Sequence, residues 1–152
     1  MPLQDAKREY LFHGSICVDE LLHELDPANR QSLASIEKHI TILPENIVFA
    51  SGDEPLKIYV HRGGRAVLFH DSGPKSTVYA CPIGPNQIYG LVEALSGSTF
   101  KFSLKTVQSG EFDVIDRDKL LSFIQNQPAL RFRLAEILNR LYQQAMQTIK
   151  SI

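Results

Sequence analysis

Between Ile40 and Ile115 the sequence consists of short segments rich in β-branched and aromatic residues, each followed by a turn signal. The segments are Thr41–Leu43, Asn46–Phe49, Lys57–His61, Arg65–His70, Ser76–Ile83, Phe100–Val107 and Glu111–Ile115. Glycine, proline, aspartate and serine fill the positions between them, at a spacing typical of all-β barrels and sandwiches. The sequence therefore predicts a mainly β domain at residues 40–116.

One of these segments alternates strictly between apolar and polar residues. Phe100, Phe102 and Leu104 alternate with Lys101, Ser103 and Lys105. Because successive side chains of a strand point to opposite faces, this pattern predicts one buried and one solvated face.

Helical patterns precede the β segments, in residues 1–39. Apolar residues at helical spacing predict a first amphipathic segment, and they are Val18, Leu21, Leu22 and Leu25. Asp26 followed by Pro27 is typical of an N-cap and the first helical position. A second helix is therefore predicted from Pro27 to about Lys38.

Helical periodicity returns in residues 117–152. A short helix is predicted at Arg117–Gln125, and Pro128 is expected to begin a long final helix. Apolar residues of this helix recur at steps of four, three, four and four, namely Leu130, Leu134, Ile137, Leu141 and Ala145. This stripe fits either packing against the chain's own β domain or a parallel coiled-coil dimer seam, and the spacing alone does not decide between them. In the second case, aspartate at Leu134 and Leu141 is expected to give monomers.

Composition and charge are those of a soluble globular protein. The 152 residues are 43% hydrophobic and 22% charged, with a formal net charge of −1. One domain is expected at this length, and the charge gives no indication of a nucleic-acid surface. The N-terminal residues carry charges where a signal peptide needs an apolar run, and no segment is long and apolar enough for a membrane span. A cytoplasmic protein with two free thiols, Cys17 and Cys81, is expected.

Four motifs together resemble the cyclic-nucleotide-binding-like sensor domain of the catabolite activator and fumarate-nitrate regulator superfamily. They are Leu43–Pro55 (LPENIVFASGDEP), Ile58–Phe69 (IYVHRGGRAVLF), Ile83–Leu95 (IGPNQIYGLVEAL) and Val114–Leu138 (VIDRDKLLSFIQNQPALRFRLAEIL). The resemblance covers roughly Leu33 to Gln147. It implies a β-roll (double-stranded β-helix, jelly-roll-like) with N-terminal helices and a long C-terminal dimerisation helix. It also implies a single domain over residues 1–152.

The family's phosphate-binding cassette has a Gly-Glu pair and, further on, an arginine followed by a small hydroxyl residue. In this sequence Gly90 matches the glycine, Leu91 stands at the glutamate position, Lys101 near the arginine and Phe102 at the hydroxyl position. A leucine cannot accept the ribose hydroxyls, and a lysine is a point charge where a bidentate fork is needed. The resemblance therefore implies a degenerate cassette that does not hold cAMP or cGMP tightly.

The residues that a small ligand would contact in such a cassette are Gly90, Leu91, Val92, Lys101, Phe102 and Ser103. The backbone N–H groups from Gly90 to Leu95 could still face an anion. The alternation of the strand places Lys101 on the solvated face if Phe100 and Phe102 are buried. A cyclic nucleotide or another small anionic ligand is possible here, and no other cofactor is implied.

DNA-binding members of the family continue into a helix-turn-helix domain after the dimer helix. This sequence ends at Ile152 without a basic helical hairpin. We therefore expect no direct DNA binding by this chain, and expect its signal to pass to a regulatory protein partner.

Other chemistry is weakly supported by the sequence. The histidines His13, His23, His39, His61 and His70 include no HxH pair, so a cupin-like metal site is disfavoured and structural or solvent roles are expected. Cys17, Ser96 and Ser98 lie in no nucleophile motif. The Arg62–Arg65 stretch (RGGR) could bind phosphate, but a hairpin turn with solvated arginines is favoured. No catalytic or metal-ligating residue is predicted.

The sequence thus predicts a non-enzymatic, homodimeric regulatory domain that senses a small ligand other than tightly bound cAMP. A ligand-free dimerisation or interaction module is the alternative, and a cupin-like metal enzyme is a third. The ligand, the downstream partner and the involvement of a separate DNA-binding chain are left open.

Overall fold

The computed structural model describes residues 16–70 and 79–150, except for a few side chains. Five helices lie in these residues: α1 (Val18–Leu22), α2 (Pro27–Ser35), α3 (Leu91–Ser96), α4 (Arg117–Gln125) and α5 (Pro128–Lys150). Asp26 caps α2 through a hydrogen bond that its side chain accepts from the N–H of Asn29, at 2.7 Å. The predicted N-cap and proline of this helix are thus confirmed.

The described residues also contain nine strands. They are β1 (Ile16–Cys17), β2 (Glu37–Ile42), β3 (Ile47–Phe49), β4 (Lys57–Gly63), β5 (Ala66–His70), β6 (Tyr79–Pro82), β7 (Gln87–Tyr89), β8 (Ser103–Thr106) and β9 (Gly110–Asp116). One sheet has the order β1-β7-β4-β9-β2 and the other β3-β8-β5-β6. All strand pairs are antiparallel. The predicted β-roll with flanking helices is confirmed.

The inner faces of the two sheets enclose an aromatic core. Phe49, Leu68, Phe102 and Leu104 come from the four-stranded sheet and its flanking loop, and Phe112 comes from the five-stranded sheet. Leu104 and Phe112 have no exposed surface. The predicted burial of the apolar side of the alternating segment is confirmed.

A second core lies between the outer face of the five-stranded sheet and the helices. Ile58 and Val60 of β4 pack there with Leu120 of α4 and with Leu134 and Ile137 of α5. Strand β4 therefore contributes to both cores, because Tyr59 lies with the aromatic core while its neighbours face the helices. This double burial attaches the helices to the roll.

The structure corrects the predicted beginning of the roll. Helix α2 ends at Ser35 and not near Lys38, and Glu37–Ile42 forms strand β2, paired in register with β9 from Ile115 to Gly110. The expected helical segment 1–39 also contains a short strand, because Ile16 pairs with Ile88. Long-range pairing thus overrides the local helical preference at these positions.

Three further expectations change at the turns. Strand β7, which was not predicted, forms before Gly90, and the predicted Phe100–Val107 strand is regular only at Ser103–Thr106. The Arg62–Arg65 stretch is not a hairpin turn, since β4 and β5 belong to different sheets and it connects them. Gly64 there has φ +79°, and a Cβ would lie 2.0 Å from the Ser109 carbonyl oxygen, so only glycine fits.

Candidate functional site

The cassette predicted from the sequence lies where β7 leads through Gly90 into α3. Gly90 is buried with φ +101°, a conformation that L side chains rarely adopt. A Cβ at this position would lie 3.1 Å from the Lys57 carbonyl oxygen and 3.2 Å from both Ile58 Cδ1 and Phe100 Cζ. Gly90 is therefore required by the packing of the chain itself.

Leu91 faces away from the interior of the roll. It is 1% exposed and packs in the core between sheet and helices, with Val92 against the same core. Leu91, which the resemblance placed at the glutamate position of the cassette, therefore lies outside the cavity of the roll. The residue of α3 that lines the roll-side cavity is Glu93.

Glu93 is 2% exposed and its carboxylate accepts hydrogen bonds from the backbone N–H groups of Gly90 and of Glu93 itself. Gly90 is the N-cap of α3 and Glu93 its third helical residue, which is the geometry of the glutamate in a capping box. Burial raises the pKa of this carboxyl group to about 7, against the opposing effect of the two amide hydrogen bonds. The N-terminal amide groups of α3 thus already face a carboxylate.

Sequence reasoning missed Glu93 because it matched Gly90 to the glycine of the family's Gly-Glu pair and therefore took the next residue, Leu91, as the counterpart of the glutamate. A signal was present, since a glutamate three residues after a helix-capping residue is expected to reach back to the N-cap.

Aromatic side chains fill most of the space beside Glu93 on the roll side of α3. Phe49 and Phe100 stack with ring centroids 3.9 Å apart and planes inclined by 12°, and Phe102 meets the ring of His70 edge-on at 5.7 Å. The remaining cavity, lined by these phenylalanines with Tyr89 and Glu93, measures about 10 Å³. A single buried water needs roughly this volume, whereas small-molecule sites usually measure about 300–1,000 Å³. The residues present do not fit a cyclic nucleotide in this conformation.

The two polar residues predicted to contact a ligand, Lys101 and Ser103, have other surroundings. Lys101 is exposed, as the strand alternation predicted, although its residue borders the cavity. Ser103 Oγ accepts a hydrogen bond from the N–H of Ser51 at 2.9 Å. Gly90, Glu93, Lys101 and Phe102 are brought together around the cavity, while Leu91 and Val92 lie outside it.

The apolar stripe of α5 lies against the chain's own roll. Leu130, Leu134, Ile137 and Leu141 are all at most 4% exposed and belong to the core between sheet and helices. The side chain of the fifth predicted residue, Ala145, lies outside the described residues. Of the two interpretations left open, the structure supports intramolecular packing, because these four side chains have no surface left for a partner.

The opposite face of α5 remains open. Phe132 is 71% and Tyr142 51% exposed. An open groove of about 350 Å³ lies between α3, α4 and α5, and its lining includes Leu95, Leu121 and Leu138. Because Leu95 belongs to α3 and Leu138 to α5, both helices border this groove.

A polar network that the sequence did not indicate lies on the sheet near β2. His39 contacts Asp113 Oδ1 at 2.9 Å through Nδ1 and Glu111 Oε2 at 2.6 Å through Nε2, and Arg62 Nε donates to Asp113 Oδ2 at 2.7 Å. The hydrogen bonds to Asp113 and then Glu111 raise the pKa of His39. Arg62 is therefore ion-paired and not simply solvated.

The remaining histidines and cysteines that the structure describes form no catalytic constellation. His23 is exposed, and His61, 2% exposed, places Nδ1 3.0 Å from the carbonyl oxygen of Gly84. His13 and the side chain of Cys81 lie outside the described residues, and Cys17 is a free thiol. Ser96 and Ser98 hydrogen-bond each other at 2.9 Å. Among the residues described, no group of three or more histidine, cysteine or acidic side chains is arranged for a metal ion.

No protein-family model matches the sequence, and a sequence comparison with characterised proteins gives no match. None of the helices in residues 16–70 and 79–150 is both long and apolar enough to cross a bilayer.

Comparison of the structure with solved structures gives clear matches. The catabolite activator protein of Thermus thermophilus superposes with a TM-score of 0.75 at 21% identity, over 86% of this chain and 62% of that protein. The sensor domain of the transcriptional regulator DNR from Pseudomonas aeruginosa gives 0.72 at 16% identity, over 100% of this chain and 97% of that domain. The regulatory domain of Toxoplasma gondii PKA, solved with cAMP, gives 0.63 at 11% identity, over 93% and 48%.

This chain thus spans less than two thirds of the catabolite activator protein but nearly the whole of an isolated sensor domain. The superpositions establish a shared architecture. At identities of 11–21%, the chemistry of each site has to be argued from that protein's own residues. The chain has the fold of the cyclic-nucleotide-binding-like sensor domains of catabolite-activator-type regulators.

Proposed function

We propose that this chain is a non-enzymatic regulatory domain whose cassette is closed to cyclic nucleotides and whose state is transmitted through α5. The observation that carries the proposal is the filled cavity: Phe49, Phe100 and Phe102 occupy the space, and about 10 Å³ remains. Glu93 supports it further, because a carboxylate already bonds the amide groups that a phosphate would need.

A cyclic nucleotide would have to overcome three costs at this site. Its phosphate would meet the carboxyl group of Glu93 at the same amides, and no arginine fork replaces those contacts because Lys101 is exposed. The stacked Phe49 and Phe100 would also have to separate and leave the core. The signal to which this domain responds is therefore something other than cAMP or cGMP.

Transmission is supported by the position of α3. Its inner face packs through Leu91 on the core that holds Leu134 and Ile137 of α5, and its outer residue Leu95 lines the groove beside Leu138. A signal that prefers one arrangement of α3 shifts the population of both helices, since only differential affinity moves such an equilibrium.

The open face of α5 is the surface through which we propose that the chain forms a homodimer. Ala135, Leu138 and Tyr142 follow one another at steps of three and four, the spacing of a coiled-coil seam. The face also carries exposed apolar surface, with Tyr142 51% exposed. A regulatory protein partner would then read the arrangement of the two copies, in a cytoplasmic setting.

Thermal unfolding with a ligand panel tests the cassette. cAMP and cGMP at 1 mM, with inorganic phosphate as a control anion, are expected to leave the midpoint unchanged. A ligand at 100 times its dissociation constant adds about 2.7 kcal/mol, on the order of 5–10 °C for a domain of this size. A rise of that size with either nucleotide would overturn the closed-cassette proposal.

A ligand-free interaction module is the second candidate, and the same filled cavity favours it. Hydrogen exchange of the α3 amides under different conditions distinguishes the two candidates. A module without a signal keeps one arrangement of α3 under all conditions, whereas a regulatory domain changes the exchange rates of α3 amides with its signal.

A further inference from the structure

The cavity beside α3 is too small for a nucleotide, but a proton requires no additional volume. Among the described residues, Glu93 is the acidic side chain that borders it, and Phe49, Leu68, Phe100 and Phe102 form apolar walls around it. A carboxylate in such a position loses its hydration, and it accepts the two amide hydrogen bonds of Gly90 and Glu93.

The titratable groups that face Glu93 from other elements can be named for the described residues. Tyr89 of β7 and the exposed Lys101 border the cavity. On the other side of α3, Glu54 and Arg117 share with Glu93 a crevice of about 140 Å³. Arg117 Nε lies 3.3 Å from Asp118 Oδ1, so its guanidinium is already engaged with a neighbouring carboxylate. Burial is thus the leading influence on the proton affinity of Glu93.

Glu93 also connects two structural elements. Its carboxyl group holds the N–H of Gly90, and Gly90 is fixed between the Lys57 carbonyl, Ile58 and the ring of Phe100. Its backbone belongs to α3, whose residues Leu91 and Leu95 reach the core and the groove beside α5. A change in the charge of this one carboxyl group therefore acts on the link between roll and helices.

We propose that Glu93 is a proton-operated latch: protonated, it caps α3 inside the roll, and its ionisation loosens α3 from the cavity. The signal for the cassette is then the proton, bound at the Glu93 carboxyl oxygen and released to solvent. The inference rests on the proposed regulatory function for its biological meaning, but the titration itself requires neither a ligand nor a dimer.

The test uses the ¹⁵N-labelled 152-residue chain between pH 4 and pH 9. The amide resonances of Gly90 and Glu93 are expected to shift together with a midpoint near 7. Hydrogen-exchange protection factors of α3 amides, corrected for intrinsic rates, are expected to fall by up to about 200-fold over this range, because a carboxyl pKa of about 7 in the closed state and 4.5 in the open state couples opening to ionisation.

Matched variants assign the effect. Glu93→Gln should remove the pH dependence of the α3 protection factors, whereas Glu136→Gln, on the solvent side of α5 with 52% of its side chain exposed, should retain it. A Gly90 midpoint near 4.5, or α3 protection independent of pH in the wild type, would overturn the latch even if Glu93→Gln failed to fold. Binding of cAMP would instead contradict the proposed function and leave the titration result standing, so the two failures are distinguishable.

Discussion

The orientation of α5 gives the sharpest prediction about stability. Leu134 is 3% exposed and lies in the core between sheet and helices, whereas Tyr142 on the same helix is 51% exposed. Leu134→Ala removes buried methyl groups from a packed site, for which losses of about 2–5 kcal/mol are typical. Tyr142→Ala removes a side chain with half its surface in solvent, and a loss within about 1 kcal/mol is expected in the monomer.

These magnitudes are measurable by urea unfolding at one fixed protein concentration. With a slope of about 2 kcal/mol/M, a loss of 3 kcal/mol lowers the midpoint by roughly 1.5 M. Light scattering on the same samples reports the oligomeric state: Tyr142→Ala should weaken the dimer and Leu134→Ala should not. The reasoning would be refuted if Leu134→Ala kept its urea midpoint and became monomeric, since Leu134 would then serve a dimer seam.

Further substitutions test individual positions. Gly90→Ala should destabilise the fold by about 1–3 kcal/mol because of its φ of +101° and the 3.1 Å approach to the Lys57 carbonyl, as calorimetry would show. Glu93→Gln should raise the free energy of unfolding at pH 8 by about 3 kcal/mol and leave it unchanged at pH 4. The reason is that folding raises the pKa of this carboxyl group from 4.5 to about 7, so the wild type loses stability as the pH rises between these two values. His39 has a raised pKa, so its contribution is present below pH 6.5 and lost as pH rises through the folded value; His39→Gln should flatten that part of a urea-monitored pH profile. Lys101→Ala should change the unfolding midpoint little, since the side chain is exposed.

The architecture was predictable because strand and helix periodicities were both strong. The alternation of Phe100, Phe102 and Leu104 gave their burial correctly even though regular strand begins only at Ser103. Lys101 and Phe102 form a bend before the strand, so the apolar pattern indicated which side chains are buried but not where the strand begins.

What could not be predicted depended on long-range pairing. Only the end of strand Glu37–Ile42 was predicted, as part of Thr41–Leu43, and the pairing of the whole strand with residues 110–115 determines its conformation. Likewise, Arg62–Arg65 has hairpin composition but connects two sheets, a property of topology that turn chemistry does not contain.

The ligand-binding role of the candidate site stays a prediction. Gly90 borders the cavity, as does Glu93, and which α3 residue faces the roll follows from the rotation of the helix after a residue with positive φ. That rotation turns Leu91 to the helices and Glu93 to the cavity. The stripe on α5 was seen, but periodicity alone cannot distinguish a core-facing from a partner-facing side.

Isothermal titration of the 152-residue chain with cAMP tests the central claim most directly, that the chain's own side chains close the cassette to nucleotides. With 100 µM protein and cAMP up to 2 mM, the account predicts only heats of dilution, at pH 6 and at pH 8 alike. A saturable heat with one site per chain would contradict it, because Phe49, Phe100 and Phe102 would then have to vacate the cavity that they fill.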